Sequence, residues 1–191
     1  MIKGNTNYRV YVTGIKESLL FLLSIIPQKL QEIESEINEQ TNAQMEEWKE
    51  IGVECNFNYD LPYLDYADIC FYGSIVQQIY SFAEIGLKML TKQKGKIPKG
   101  IRNIDFYYNN IKKFYQIELK PIGEIWKHYD EFHRIRVGFT HKEIQHNDFE
   151  EKNKDKFLEE NVNQIAKLLY YVEEEIIRKN NPKFLLQLCK Y

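Results

Sequence analysis

Apolar positions recur every three to four residues along most of the chain, the spacing of one helix face. Leu19, Leu20, Leu22, Leu23, Ile26, Leu30, Ile33 and Ile37 mark a first helical stretch, which Pro27 is expected to kink or divide. A second stretch, from about residue 62 to 92, carries Leu64, Ile69, Ile75, Ile79, Phe82, Ile85 and Leu90. It ends in the loop KQKGKIPKG, punctuated by Gly95, Pro98 and Gly100. A third covers roughly 101 to 119 and stops ahead of Pro121 and Gly123. A fourth begins near Glu124 with Ile125, Tyr129, Phe132 and Phe139. After a polar segment, a fifth spans about 157 to 179 on Leu158, Val162, Ile165, Leu169, Val172 and Ile176, closed by Asn180, Asn181 and Pro182.

One segment follows a different period. Ile51, Val53, Cys55, Phe57 and Tyr59 alternate with polar residues or glycine, the spacing of a strand, and residues 8–13 offer a partner. The pattern predicts an all-α fold: an antiparallel bundle of about five helices, with room for a small two-stranded β appendage. It reads as a single domain over residues 1–191, with its helical core at about 62–180.

Composition sharpens this picture. At 191 residues and 23.0 kDa the chain has the size of one domain, and 9 Gly with 5 Pro argue against a loop-rich sandwich or barrel. The three cysteines are separated and form no C-x-x-C pair, which disfavours a disulfide framework and suits a reducing cytosol. The apolar run at residues 19–26 stops at Pro27, well short of the ~20 residues of a membrane span, and the first residues do not resemble a secretory signal. The expectation is a soluble cytoplasmic protein. A net charge of −2 excludes a uniformly basic nucleic-acid binder, but the charge is uneven. Residues 88–120 carry nine Lys or Arg against Asp105 and Glu118, a net of +7, whereas residues 31–50 carry seven Glu against one Lys, a net of −6. Within the basic stretch Arg102, Lys112 and Lys113 are interleaved with Phe106, Tyr107, Tyr108, Phe114 and Tyr115. Cations beside rings suit single-stranded nucleic acid; the alternative is a solvated loop followed by a helix whose rings face the core.

All four histidines, His128, His133, His141 and His146, fall within 19 residues. Histidine exchanges protons near neutral pH. Around the fourth helix, with Ile125 at zero, Tyr129 falls at about +40°, Phe132 at about −20° and Phe139 at about −40°, the buried stripe. Arg136 falls at about +20°, inside that stripe, and Arg134 near 180°, in solvent. A guanidinium is costly to bury unpaired, so Arg136 either meets a carboxylate from another helix, such as Glu84, or opens into a groove that holds an anion. His141 comes near 160° on a straight helix, and an ending or distortion at Gly138 would bring it back toward Arg136.

Arg136-Val-Gly-Phe-Thr-His141 resembles the R-x4–6-H motif of the HEPN superfamily, the higher eukaryote and prokaryote nucleotide-binding domains. In that family the motif lies late in a helical bundle, and here the similar context covers about residues 62–180. The resemblance implies a metal-independent endoribonuclease without cofactor, acting on RNA as a homodimer. His141 would be the general acid or base, Arg136 would hold the scissile phosphate, and Arg134 is a second choice for that role. Many relatives are toxins of toxin–antitoxin or other defence systems, which implies a possible antitoxin partner. Arg134, Lys112, Lys113 and Arg102 would hold the RNA backbone. The chain departs from the family pattern at Val137, where a polar residue, often Asn, commonly follows the Arg. A catalytically silent module that binds RNA, nucleotides or a protein is therefore the other expectation.

Alternative chemistries find less support. Glu143 and His146 form one E-x-x-H, but a di-iron bundle needs such motifs on two helices, and no H-E-x-x-H is present. Neither a Walker A loop nor G-x-G-x-x-G occurs, and no Ser or Cys sits in a nucleophile motif.

Overall fold

Three long helices, each with one apolar face, set the frame. The computed structural model describes residues 6–52, 62–91, 97–141 and 153–180. Within them lie α1 (Thr6–Glu50), α2 (Pro62–Leu90), α3 (Asn103–Tyr115), α4 (Ile122–Ile125), α5 (Tyr129–His141) and α6 (Lys154–Asn180). The chain is an all-α helical bundle, and among the described residues there is no strand.

α6 buries Leu158, Val162, Ile165, Leu169, Val172 and Ile176, the positions its periodicity marks. α1 buries Tyr8, Val12, Leu19, Leu23 and Ile26 in the same core and lies against α6. The two run antiparallel: the Arg9 Nε–H donates to Glu173 Oε2 at 2.8 Å, and the Thr13 and Tyr170 hydroxyls share a hydrogen bond of 2.6 Å. α2 also opposes α1, with Tyr11 against Phe82 near one end and Leu22, Ile25 and Ile26 beside Phe71 and Ile75 nearer the other. α2 packs on α6 as well, and Gly86 makes that approach possible, because a Cβ there would come within 2.5 Å of the Leu169 side chain.

The shorter helices close the bundle. α3 ends at Gln116, whose left-handed backbone (φ 51°) turns the chain while its N–H bonds to the Lys112 carbonyl. The Tyr108 hydroxyl donates to the Lys120 carbonyl at 2.6 Å, and the Lys120 N–H donates to the Tyr171 hydroxyl at 3.1 Å. These bonds tie the residues after α3 to both α3 and α6. α4 is a single turn. Just beyond it Trp126 is fully buried, packs on Tyr129 and Phe132, and donates its indole N–H to Asn161 Oδ1 at 2.6 Å. Asn161 is itself buried and donates back to the Phe157 carbonyl at 2.7 Å.

Several expectations are corrected. Residues 8–13 are helical: Tyr8 and Val12, one turn apart, are buried, while Val10 between them is 65% exposed, the opposite of strand alternation. Of the proposed partner strand, residues 53–59 lie outside the described residues, and Ile51 and Gly52 form a turn. Pro27 does not divide the first helix. It lies on the exposed side of α1, where its ring meets no neighbouring helix, while Leu23 and Ile26 hold the buried side in register. The fourth stretch is split into α4 and α5 by the Trp126 turn. Because α1 continues through Pro27, it is long and apolar enough to cross a membrane by length and composition. Its most apolar 18-residue window has a mean hydropathy of 1.5 and is 22% buried within the bundle. The same helix supplies five of the core positions named above, a use that demands similar composition.

Asn161→Ala should strand the buried Trp126 indole N–H. A loss of about 1–3 kcal/mol is expected, measured as a lower urea midpoint with unchanged slope.

Candidate functional site

α5 is set by its apolar face. Tyr129, Phe132 and Ile135 are buried, and Phe139 packs so closely over α2 that a Cβ on Gly73 would come within 2.8 Å of its ring. This fixes the helix against α2 and brings Arg136 to the seam between them. Arg136 is half-buried: its Nε–H donates to Gln77 Oε1 at 3.1 Å, and its guanidinium lies 4.8 Å from the centroid of the Tyr80 ring. Gln77 also donates from Nε2 to the Arg136 carbonyl at 3.4 Å, so one amide holds both side chain and backbone of this residue. Glu84, the carboxylate suggested by sequence, instead accepts a hydrogen bond from Asn103 at 2.9 Å. Arg134 is exposed, as the helical register requires.

His141 is the last residue of α5, and the helix runs to it without ending at Gly138. Residues 136 and 141 are therefore separated by about 140° around the axis and about 7.5 Å along it. The side chain of His141 and all of His146 lie outside what the structure describes.

The histidine beside Arg136 is His133, one turn earlier. Its ring lies 5.8 Å from the Tyr80 ring, and its Nδ1 is buried without a hydrogen-bond partner. Burial, followed by the fields of Arg102 and Arg136, lowers its pKa below the ordinary value of 6.5. Tyr80, between the same groups, is shifted upward by burial against the opposing pull of Arg136. Sequence alone carried a signal for this pairing, the i,i+3 spacing of His133 and Arg136, but it attaches to any two residues one turn apart. His128 lies elsewhere, 3.4 Å from Glu131 and 3.7 Å from Glu160.

The proposed RNA-contact residues divide. Arg102, immediately before α3, pairs with Asp130 and covers the Tyr129 ring at 5.2 Å. Arg102 and Lys112 line one open groove of about 720 Å³ between α3 and the α4–α5 corner. Asp105 and Asp130 line it too, so its fixed charges balance. Lys113 is exposed on α3 and is not among the groove's lining residues. The rings interleaved with these cations mostly serve the core: Tyr107 and Tyr108 are buried, Phe106 and Tyr115 partly so, and only Phe114 of the five is exposed. Among the described residues, no three His, Cys, Asp or Glu side chains converge as metal ligands would.

No protein-family model, curated protein or solved structure matches the chain. The fold and the seam define it as a helical bundle with a polar cluster at the junction of α2, α3 and α5.

His133 should make stability depend on pH. Its cation is disfavoured when folded, so the stabilising contribution is present above the unfolded pKa of about 6.5 and is lost as pH falls through the lower folded value. Between about pH 7.5 and about pH 5, His133→Gln should lose less thermal stability than the wild type.

Proposed function

We propose that the protein is a HEPN-like, metal-independent endoribonuclease of the cytoplasm, working as a homodimer in a toxin or other defence role. The reading rests chiefly on Arg136: a half-buried guanidinium held by Gln77 and the Tyr80 ring, five residues before the histidine that ends the same helix. A guanidinium positioned in this way can neutralise negative charge building on a phosphate without having to be ordered at the moment of reaction. His141 would take the proton from a ribose 2′-hydroxyl. The resulting oxygen attacks the adjacent phosphorus, the bond to the 5′-oxygen breaks, and that oxygen acquires a proton. The products are a 2′,3′-cyclic phosphate and a 5′-hydroxyl, and no metal or other cofactor enters the balance.

A second reading, a silent RNA- or protein-binding module, is favoured by the aliphatic Val137 after the arginine and by how fully Gln77 engages Arg136.

The test is cleavage of labelled single-stranded RNA and tRNA in EDTA. Wild-type protein should cut, while folded Arg136→Ala and His141→Ala should each lose at least about 100-fold in rate. RNA binding without any cutting would establish the module instead.

A further inference from the structure

The groove between α3 and the α4–α5 corner lies outside the Arg136–His141 pair, yet its wall at Asp130 is on the same helix, six residues and about 9 Å before Arg136. We infer that this groove is a nucleotide subsite that takes a guanine ribonucleotide. The choice of a nucleotide rests on the RNA reading above; the choice of guanine rests on the groove.

One face of α3 supplies the chemistry. Asp105 and Lys112 both line the groove and are seven residues apart, two turns of helix, which stacks them on one side at a separation of about 10.5 Å. That is comparable with the span of a nucleotide from the edge of its base to its phosphate. The charges divide accordingly. Arg102 is already matched by Asp130 and packed on Tyr129, whereas the Lys112 ammonium makes no ion pair among the described residues and is the cation left for a phosphate. At the other end a carboxylate is an acceptor only. Guanine alone of the four bases offers it two adjacent donors, N1–H and N2–H, and can satisfy both carboxylate oxygens at once. Ile101, Leu119 and Pro121 give the groove apolar walls for the flat base, and its volume accommodates one nucleotide with water to spare. Balanced fixed charge also suits this ligand, a single anionic group joined to a neutral donor edge, better than it suits an uninterrupted run of phosphates.

The experiment is calorimetric titration of the full chain with 5′-GMP, 5′-AMP, 5′-CMP, 5′-UMP and guanosine, with amide NMR locating the binding. GMP should bind most tightly and shift the α3 amides. Lys112→Ala should weaken GMP about tenfold while leaving guanosine unchanged, and Asp105→Asn should reduce GMP to the level of AMP. Both substitutions are at partly exposed positions and should leave the helices intact, which circular dichroism of each variant checks. Arg136→Ala should leave GMP affinity as it is. Equal binding of all four nucleotides, no binding at millimolar concentration, or wild-type GMP affinity in both groove variants would overturn the assignment. The two readings separate cleanly: GMP binding in the groove without RNA cleavage removes the nuclease and keeps the subsite, whereas cleavage without GMP binding does the reverse.

Discussion

The position of every candidate residue on α5 depends on one buried hydrogen bond, from the Trp126 indole to Asn161. Trp126 lies at the corner between α4 and α5 and fills the space under the first turns of α5, touching Tyr129 and Phe132. A large ring in such a place could settle in more than one orientation on shape alone. A donor that must be satisfied selects one, because an unmade bond here costs far more than a made one contributes. The adjacent Lys127 N–H bonds to Gln164 at 2.7 Å, so two successive residues of the corner are fixed to α6. α5 therefore leaves α6 in a defined direction and meets α2 at Gly73, where the absence of a side chain admits Phe139.

The consequence at the seam is electrostatic. Arg136 and Arg102 both act on His133, and the local carboxylates Asp105 and Asp130 oppose them. Burial and two guanidiniums disfavour the His133 cation, and the neutral ring keeps one nitrogen as an acceptor, while the arginines keep their charge at any accessible pH. The cluster thus separates permanent cations from a switchable base. Gln77 contributes to this as a neutral holder: it fixes the guanidinium geometrically and leaves its charge uncancelled by that contact.

Much of this could be read from the sequence where a single physical rule dominated. All six positions that the apolar periodicity marks on α6 are buried, though polar Asn161 and Glu173 are buried beside them, and the separation of exposed Arg134 from half-buried Arg136 follows from 100° per residue. The rule failed where two signals competed. Residues 8–13 offered a partner strand, but burial of Tyr8 and Val12, one helical turn apart, outweighs that local reading. Pro27 and Gly138 look like helix breakers, yet tertiary packing carries both helices past them. The groove was legible only in part. Lys112 and Arg102 stood out as cations, while the opposing Asp105 and Asp130 and the buried state of the tyrosines depend on how α3 lies against the α4–α5 corner, which no local pattern encodes.

The antiparallel pairing of α1 with α6 joins residues 164 positions apart in the chain, from Arg9 to Glu173. During synthesis α1 therefore emerges long before the surface it is built to cover. At roughly 5–20 residues per second, its apolar face waits on the order of ten seconds for α6 to leave the ribosome. The nascent chain spends that interval with a long helix, bearing an apolar window of mean hydropathy 1.5, lacking its final partner, which makes α1 the segment on which a chaperone would hold this protein. A chain stopped before α6 would remain in that state for good.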